Sequence, residues 1–174
     1  MDTDKKYERP SKDEYYLGLA LSTSKRSTCL RRNYGAIIVL NDSIISTGYN
    51  GSCRGAPNCL EHGCLKEKHN VAHGGGYDFC RAGPLHAELN GILNAARTHG
   101  GTSGAVMYIS GTDGRNREDI VDAYPCKNCR KAIINAGIEK VVIRLKKGIK
   151  KFNVEDWAKE AHETEDKDVS SEYK

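Results

Sequence analysis

The chain has 174 residues, 38% hydrophobic and 29% charged, with a mean hydropathy of −0.63. That is the usual size of one domain with one core, and it excludes collagen, a coiled coil and wholesale disorder. The 27 Lys and Arg against 23 Asp and Glu leave a formal +4, a surplus too small to imply a polyanion-binding surface by itself, so no nucleic-acid partner is expected. Apolar runs such as AIIVL at 36–40 and KVVIRL at 140–145 fall far short of the roughly 20 residues that a membrane helix needs. The opening MDTDKKYERPSKDE has no apolar signal segment. A cytoplasmic chain with no membrane partner is therefore expected.

In chain order, SKDEYYLGLALSTSK at 11–25 places apolar residues at Tyr15, Leu17, Leu19, Ala20 and Leu21, and Ser11 with Glu14 forms a capping box. This pattern predicts an amphipathic helix. GAIIVL at 35–40 and SIISTGY at 43–49 are β-branched runs separated by Asn41-Asp42, a hairpin. Residues 50–85 show no steady period, and their cysteines argue for an ordered loop. HAELNGILNAARTH at 86–99 sets His86, Leu89, Leu93 and Ala96 on one helical stripe and stops at Gly100-Gly101. AVMYIS at 105–110 reads as a strand and the polar stretch 111–123 as a surface insertion. Pro125 suits the first position of a helix that Gly137 ends. Ile138–Leu145 reads as another strand and 154–162 as another helix. The charged tail at 161–174 has almost nothing to bury and is expected to be disordered, which leaves 1–160 as a single domain. Strands alternating with helices predict an α/β sandwich, the first two strands antiparallel and the later ones parallel.

Seven cysteines are many for a reducing compartment, and an odd count cannot be fully paired within one chain. Cys126 and Cys129 have the spacing that suits one tetrahedral zinc. A catalytic zinc takes three protein ligands and leaves a fourth position for water, whose pKa it lowers toward neutrality; His86, Cys126 and Cys129 supply the three. Glu88, two residues after the histidine, need not bind metal and is placed to move protons. His-x-Glu followed by Pro-Cys-x-x-Cys is the signature of the zinc deaminases that attack cytosine or adenine.

On these motifs, and on CLRRNYGAIIV at 29–39, STGYNGSCRG at 46–55, CLEHGCL at 59–65 and INAGIEKVVI at 134–143, the chain resembles the cytidine and deoxycytidylate (dCMP) deaminase family over roughly residues 13–145. The resemblance implies a three-layer sandwich with a mixed sheet flanked by helices, and hydrolysis of dCMP to dUMP and ammonia. It also implies Asn50 contacting the sugar and the Ala87 backbone holding the pyrimidine edge. Members are often homo-oligomers, hexamers among them, and several respond to dCTP and dTTP. In phage-type members the positions resembling Cys29 and Cys59 help to hold a structural zinc, so Cys29, Cys59, Cys64 and Cys80 are candidate ligands of a second metal, with His62 or Cys53 able to replace one of them. Two departures stand out: the insertion at 111–123, expected to border the active site as a lid, and Gly91, where relatives commonly carry alanine.

Other readings compete. The substrate could be a nucleoside, a free base, a modified metabolite or a tRNA adenosine, or the chain could be a non-catalytic zinc-stabilised module that binds nucleotides. Glu88 argues against the last, because a structural site has no use for that carboxylate. Arg26, Arg31, Arg32 and Arg54 are the basic candidates for a substrate phosphate.

Overall fold

The computed structural model describes residues 8–72, 80 and 85–164, the side chains of 161–164 excepted. The disorder expected for the tail falls largely outside these residues. Among these residues the elements run in the order α1 (Lys12–Ser24), β1 (Arg32–Leu40), β2 (Ser43–Tyr49), α2 (Cys59–His62), α3 (Leu65–Lys68), α4 (Ala87–Thr98), β3 (Val106–Asp113), α5 (Lys127–Asn135), β4 (Lys140–Arg144), β5 (Ile149–Asn153) and α6 (Val154–Thr164). The sheet order is β2-β1-β3-β4-β5, with β3 and β4 parallel and the other pairs antiparallel.

Local chemistry accounts for most of these boundaries. Ser11 accepts from the Glu14 backbone and the Glu14 carboxylate reaches back to the Ser11 N–H, the expected capping box. Asn41 and Asp42 both have positive φ, 49° and 62°, the twist that a two-residue hairpin turn requires. Strand β5 is an addition to the sequence reading. Its sequence IKKFN carries only Ile149 and Phe152 as apolar residues, and exposed Lys150 and Lys151 protect a sheet edge from further pairing.

The sheet is covered on both faces, so alternate residues of each central strand enter different cores. Ile37, Val39, Tyr108 and Val142 pack beneath Tyr16, Leu17 and Ala20 of α1. Ile38, Met107, Ile109, Val141 and Ile143 point the other way, toward Ala87 of α4, Ile133 of α5 and Trp157 of α6. This is the three-layer arrangement expected.

Helix α4 does not bury the stripe read from its sequence. Leu93 is 49% exposed and Ala96 is exposed, whereas Ala87, Glu88, Gly91 and Ala95 are buried. The reason is distance. A Cβ at Gly48 on β2 would fall on the Ala87 carbonyl and 2.8 Å from the Gly91 Cα, so only small residues fit between this helix and the sheet. Three side chains lock the contact: Ser46 Oγ donates to the Gly91 carbonyl at 2.7 Å, Asn90 Nδ2 to that of Tyr49 at 2.8 Å and Asn94 Nδ2 to that of Thr47 at 2.8 Å. A Cβ at Gly91 would meet only the Ile38 Cδ1 closely, at 3.3 Å, and a terminal methyl can yield. Gly48→Ala is therefore expected to destabilise by about 3 kcal/mol, the upper range for overpacking. Gly91→Ala, with a helix-propensity gain of about 1 kcal/mol, should stay within about 1 kcal/mol of wild type. Urea denaturation of both variants checks the contrast, and equal effects would show that the close approach is not confined to Gly48.

Candidate functional site

The site is built at the starts of α4 and α5, which pack against each other. His86 is the N-cap of α4, with extended backbone at φ −72°, ψ 155°, set by the short bridge between Gly51 and Leu85. Cys126 is the N-cap of α5, at φ −70°, ψ 167°, and its Sγ accepts from the Cys129 backbone N–H at 3.5 Å. Pro125 consequently precedes the cap and does not occupy the first helical position, because the sulfur does the capping that a hydroxyl would otherwise do. One helical turn on, Cys129 returns to the same side. The His86 Nδ1 lies 3.5 Å from the Cys126 Sγ and 3.4 Å from the Cys129 Sγ.

Among the described residues, these three are the one group whose ligand atoms all lie within 4.8 Å of one another in a way that suits a metal ion. One ring nitrogen and two sulfurs, with neither cysteine in a disulfide, match the donor chemistry of zinc. The three groups are close enough to shift one another's protons. The Cys126 thiol is pulled down to about 3, first by the hydrogen bond from Cys129 and then by that with His86. Cys129 keeps the proton and is raised for the same reason. The Cys126 thiolate in turn raises His86.

Glu88 is not one of these three, though its carboxyl shares a hydrogen bond with the Cys129 thiol. It is 6% exposed, and burial pushes its carboxyl above the ordinary carboxylate range, with the neighbouring His86 opposing. It opens onto a cavity of about 710 Å³ and is the one carboxylate lining it among the described residues. Asn50 lines the same cavity; its Oδ1 accepts from the Tyr34 N–H at 2.7 Å and its Nδ2 donates to the Arg32 carbonyl at 2.9 Å. Ala87 is fully buried between His86 and Glu88.

Cys29, Cys59, Cys64 and Cys80 also line the cavity. They form no disulfide, and Cys29 and Cys64 are close enough to Cys80 to contribute to its raised thiol, after burial. No three of them gather at ligand distance as His86, Cys126 and Cys129 do.

Of the four arginines considered for a phosphate, Arg31 and Arg32 line the cavity and Arg26 and Arg54 do not. Both lining arginines are engaged: Arg31 Nη1 donates to the Val71 carbonyl at 3.0 Å, and Arg32 pairs with Asp113. Arg54 donates to Asn94 Oδ1 at 2.8 Å. The insertion does not form a lid in this structure. Its first residues continue β3 against Arg32–Tyr34, Gly114 donates to the Arg31 carbonyl, and Arg115 pairs with Glu67 on α3 at 3.2 Å. Of residues 111–123, only Ala123 reaches the cavity wall.

Tyr124, Lys127, Asn128 and Lys66 line the cavity as well and were not singled out in the sequence. The signal available for three of them was adjacency to the Pro-Cys-x-x-Cys motif.

Comparison with known proteins accords with this geometry. The family described as "Cytidine and deoxycytidylate deaminase zinc-binding region" matches residues 10–145. The deoxycytidylate deaminase of Schizosaccharomyces pombe is 37% identical over 134 residues, covering 77% of this chain and 37% of that protein; the chain thus spans well under two thirds of that relative's length. The deoxycytidylate deaminase of Enterobacteria phage T4 is 35% identical over 157 residues, covering 72% of this chain and 74% of that protein. Among solved structures, the dCMP deaminase of cyanophage S-TIM5 in complex with dCMP and dUMP superposes with a TM-score of 0.58 at 28% identity, covering 80% of this chain and 85% of that one.

Proposed function

The chain belongs to the cytidine and deoxycytidylate deaminase family, and on that premise we propose that it hydrolyses a pyrimidine nucleotide, taking dCMP to dUMP and ammonia. The observation that carries this reading is the meeting of His86, Cys126 and Cys129 beside a buried carboxylate in one cavity. When bound, zinc held by those three residues supplies a Lewis acid and lowers the pKa of a bound water. Glu88 moves the protons. It takes one from the attacking water as the new C–O bond forms, delivers one to the ring nitrogen, and assists departure of the amino nitrogen as ammonia when the C–N bond breaks. Burial, by raising its carboxyl, brings Glu88 toward the range where a group both accepts and returns a proton near neutral pH. The positive ends of α4 and α5 converge on the same place and favour the negative charge that develops there.

Asn50 and Ala87 belong to this reading as substrate-binding residues, supported by the place of Asn50 on the cavity wall and of Ala87 between the ligand histidine and Glu88. A second, structural zinc on Cys29, Cys59, Cys64 and Cys80 is supported by four cysteines outside any disulfide around one cavity and requires them to draw together on binding. The homo-oligomer and the dCTP and dTTP effectors rest on the family resemblance, the former also on exposed Leu93. A cytoplasmic setting is supported by seven cysteines that form no disulfide, and no helix among the described residues is long and apolar enough to cross a membrane.

The test is an ammonia-release screen of the zinc-loaded protein on dCMP, CMP, dCTP, cytidine, deoxycytidine and cytosine. We expect dCMP to be turned over with a kcat/KM at least about tenfold above deoxycytidine, since one charge-assisted hydrogen bond to phosphate contributes about 1.5–3 kcal/mol. Equal handling of the two would make the chain a nucleoside deaminase.

A further inference from the structure

The modest net charge conceals a strong asymmetry. Residues 127–151 carry nine Lys and Arg against one acid, Glu139, whereas the rest of the chain carries 18 against 22. The segment is thus +8 and the remainder −4. It comprises α5, β4 and β5, and among the described residues only Lys151 of the nine makes an ion pair, with Asp13 on the α1 face.

This charge abuts the cavity. Lys127 is part of the cavity wall, exposed and, among the described residues, makes no ion pair. Tyr124 is a wall residue that is 46% exposed. The Lys150 Nζ stands 5.6 Å from the Tyr124 ring and 5.1 Å from the Phe152 ring, and Phe152 meets Tyr124 edge to face at 6.2 Å. The Lys150 ammonium is therefore held at the rim by two aromatic faces. Lys146 opens the β4–β5 turn, and its backbone N–H is tied at 2.7 Å to Asp122, next to the wall residue Ala123. Inside the cavity, Arg31 Nη1 already donates to the Val71 carbonyl and Arg32 pairs with Asp113.

We propose that the rim formed by Lys127 and Lys150 receives the phosphate of a mononucleotide, the surrounding cationic face drawing the anion in, so that these two lysines rather than the interior arginines set the preference for nucleotide over nucleoside. The proposal rests on the deamination reading for its substrate. A single nucleotide fits better than a nucleic-acid strand. Strand binding uses successive aromatic platforms, and among the described residues of this face only Tyr124 is open, Phe152 being half-buried and Trp157 5% exposed.

The experiment compares wild type, Lys127→Gln/Lys150→Gln and a control, Lys140→Gln, which removes a charge of the same segment at the far end of β4. Each is zinc-loaded and checked for metal content. Rates are measured on dCMP and deoxycytidine from 25 to 300 mM NaCl, and equilibrium binding on dUMP and deoxyuridine. We expect the double variant to lose at least tenfold in kcat/KM for dCMP and in affinity for dUMP. Its rate on deoxycytidine should stay within twofold, and the salt dependence seen with dCMP should flatten. The control should stay within twofold throughout. Equal losses on nucleotide and nucleoside would overturn the proposal, as would an unchanged preference that Arg31→Gln or Arg32→Gln abolishes. So would a 20-residue oligothymidylate that displaces dUMP through the same lysines, which would assign the face to a strand. Phosphate-dependent dUMP binding without turnover of any substrate would uphold the rim and reject the deamination reading, while dCMP turnover with an untouched preference would do the reverse.

Discussion

Glu88→Gln is expected to leave zinc bound and the fold intact while kcat falls by two or more decades. The carboxylate lies outside the group of atoms that can share a metal, so the amide removes no ligand. It is nearly isosteric, and Glu88 is 6% exposed, so no cavity opens. Exchanging an ionisable group for a neutral one also removes the cost of burying a charge, which is why folding stability should not suffer. The chemistry does suffer, because no other carboxylate among the described residues lines the cavity to replace it. Loss of a positioned general acid and base typically costs 10²–10⁴ in rate, about 2.7–5.4 kcal/mol of barrier. Elemental analysis and single-turnover rates on dCMP separate the two effects. A variant that loses zinc together with activity would make Glu88 a ligand and overturn its assignment as a proton carrier.

Cys126→Ser is expected to lose one zinc per chain and all measurable turnover. The comparison is unusually clean because Cys126 is an N-cap and serine is among the best N-caps, so α5 should still begin where it does. What serine cannot supply is the thiolate, which Cys126 readily provides with a pKa of about 3; a hydroxyl does not ionise in that range. Cys129→Ser should match it in metal loss and add a stability cost, since Cys129 is 4% exposed and exchanges a sulfur for a polar oxygen in a buried place. Far-ultraviolet dichroism, zinc content and turnover decide the matter. Full activity in either metal-depleted variant would refute a zinc-dependent reaction.

Much of this was readable from the chain because the decisive residues act locally. The Ser11–Glu14 box and the Asn41-Asp42 turn are self-contained, and His86-Ala87-Glu88 with Cys126 and Cys129 combine two short motifs. What the spacing did not disclose depends on tertiary contact. The stripe of His86, Leu89, Leu93 and Ala96 gave way to Ala87, Gly91 and Ala95 because Gly48 lies beneath the helix. Strand β5 escaped notice because Lys150 and Lys151 interrupt its apolar pattern and its existence depends on pairing with β4. The insertion at 111–123 read as one polar stretch, although its start is strand and its middle is fastened to Arg31 and Glu67. A charge averaged over the whole chain hid the cationic face beside Tyr124.

The placing of the metal ligands at the starts of two helices also bears on the order in which the molecule comes apart. His86 and Cys126 are 40 residues apart in sequence, and the segment between them contains β3, the middle strand of the five. A metal joining its ends acts as a clasp on that segment, removing chain entropy from any partly opened state in which β3 has left its neighbours. With the metal withdrawn, the first turns of α4 and α5 are expected to open first, while β3, paired on both sides, and α1, held by its own box and core, stay closed longer. The ion at the margin thus holds the two helix starts, and the strand at the centre of the sheet is kept by its two neighbours.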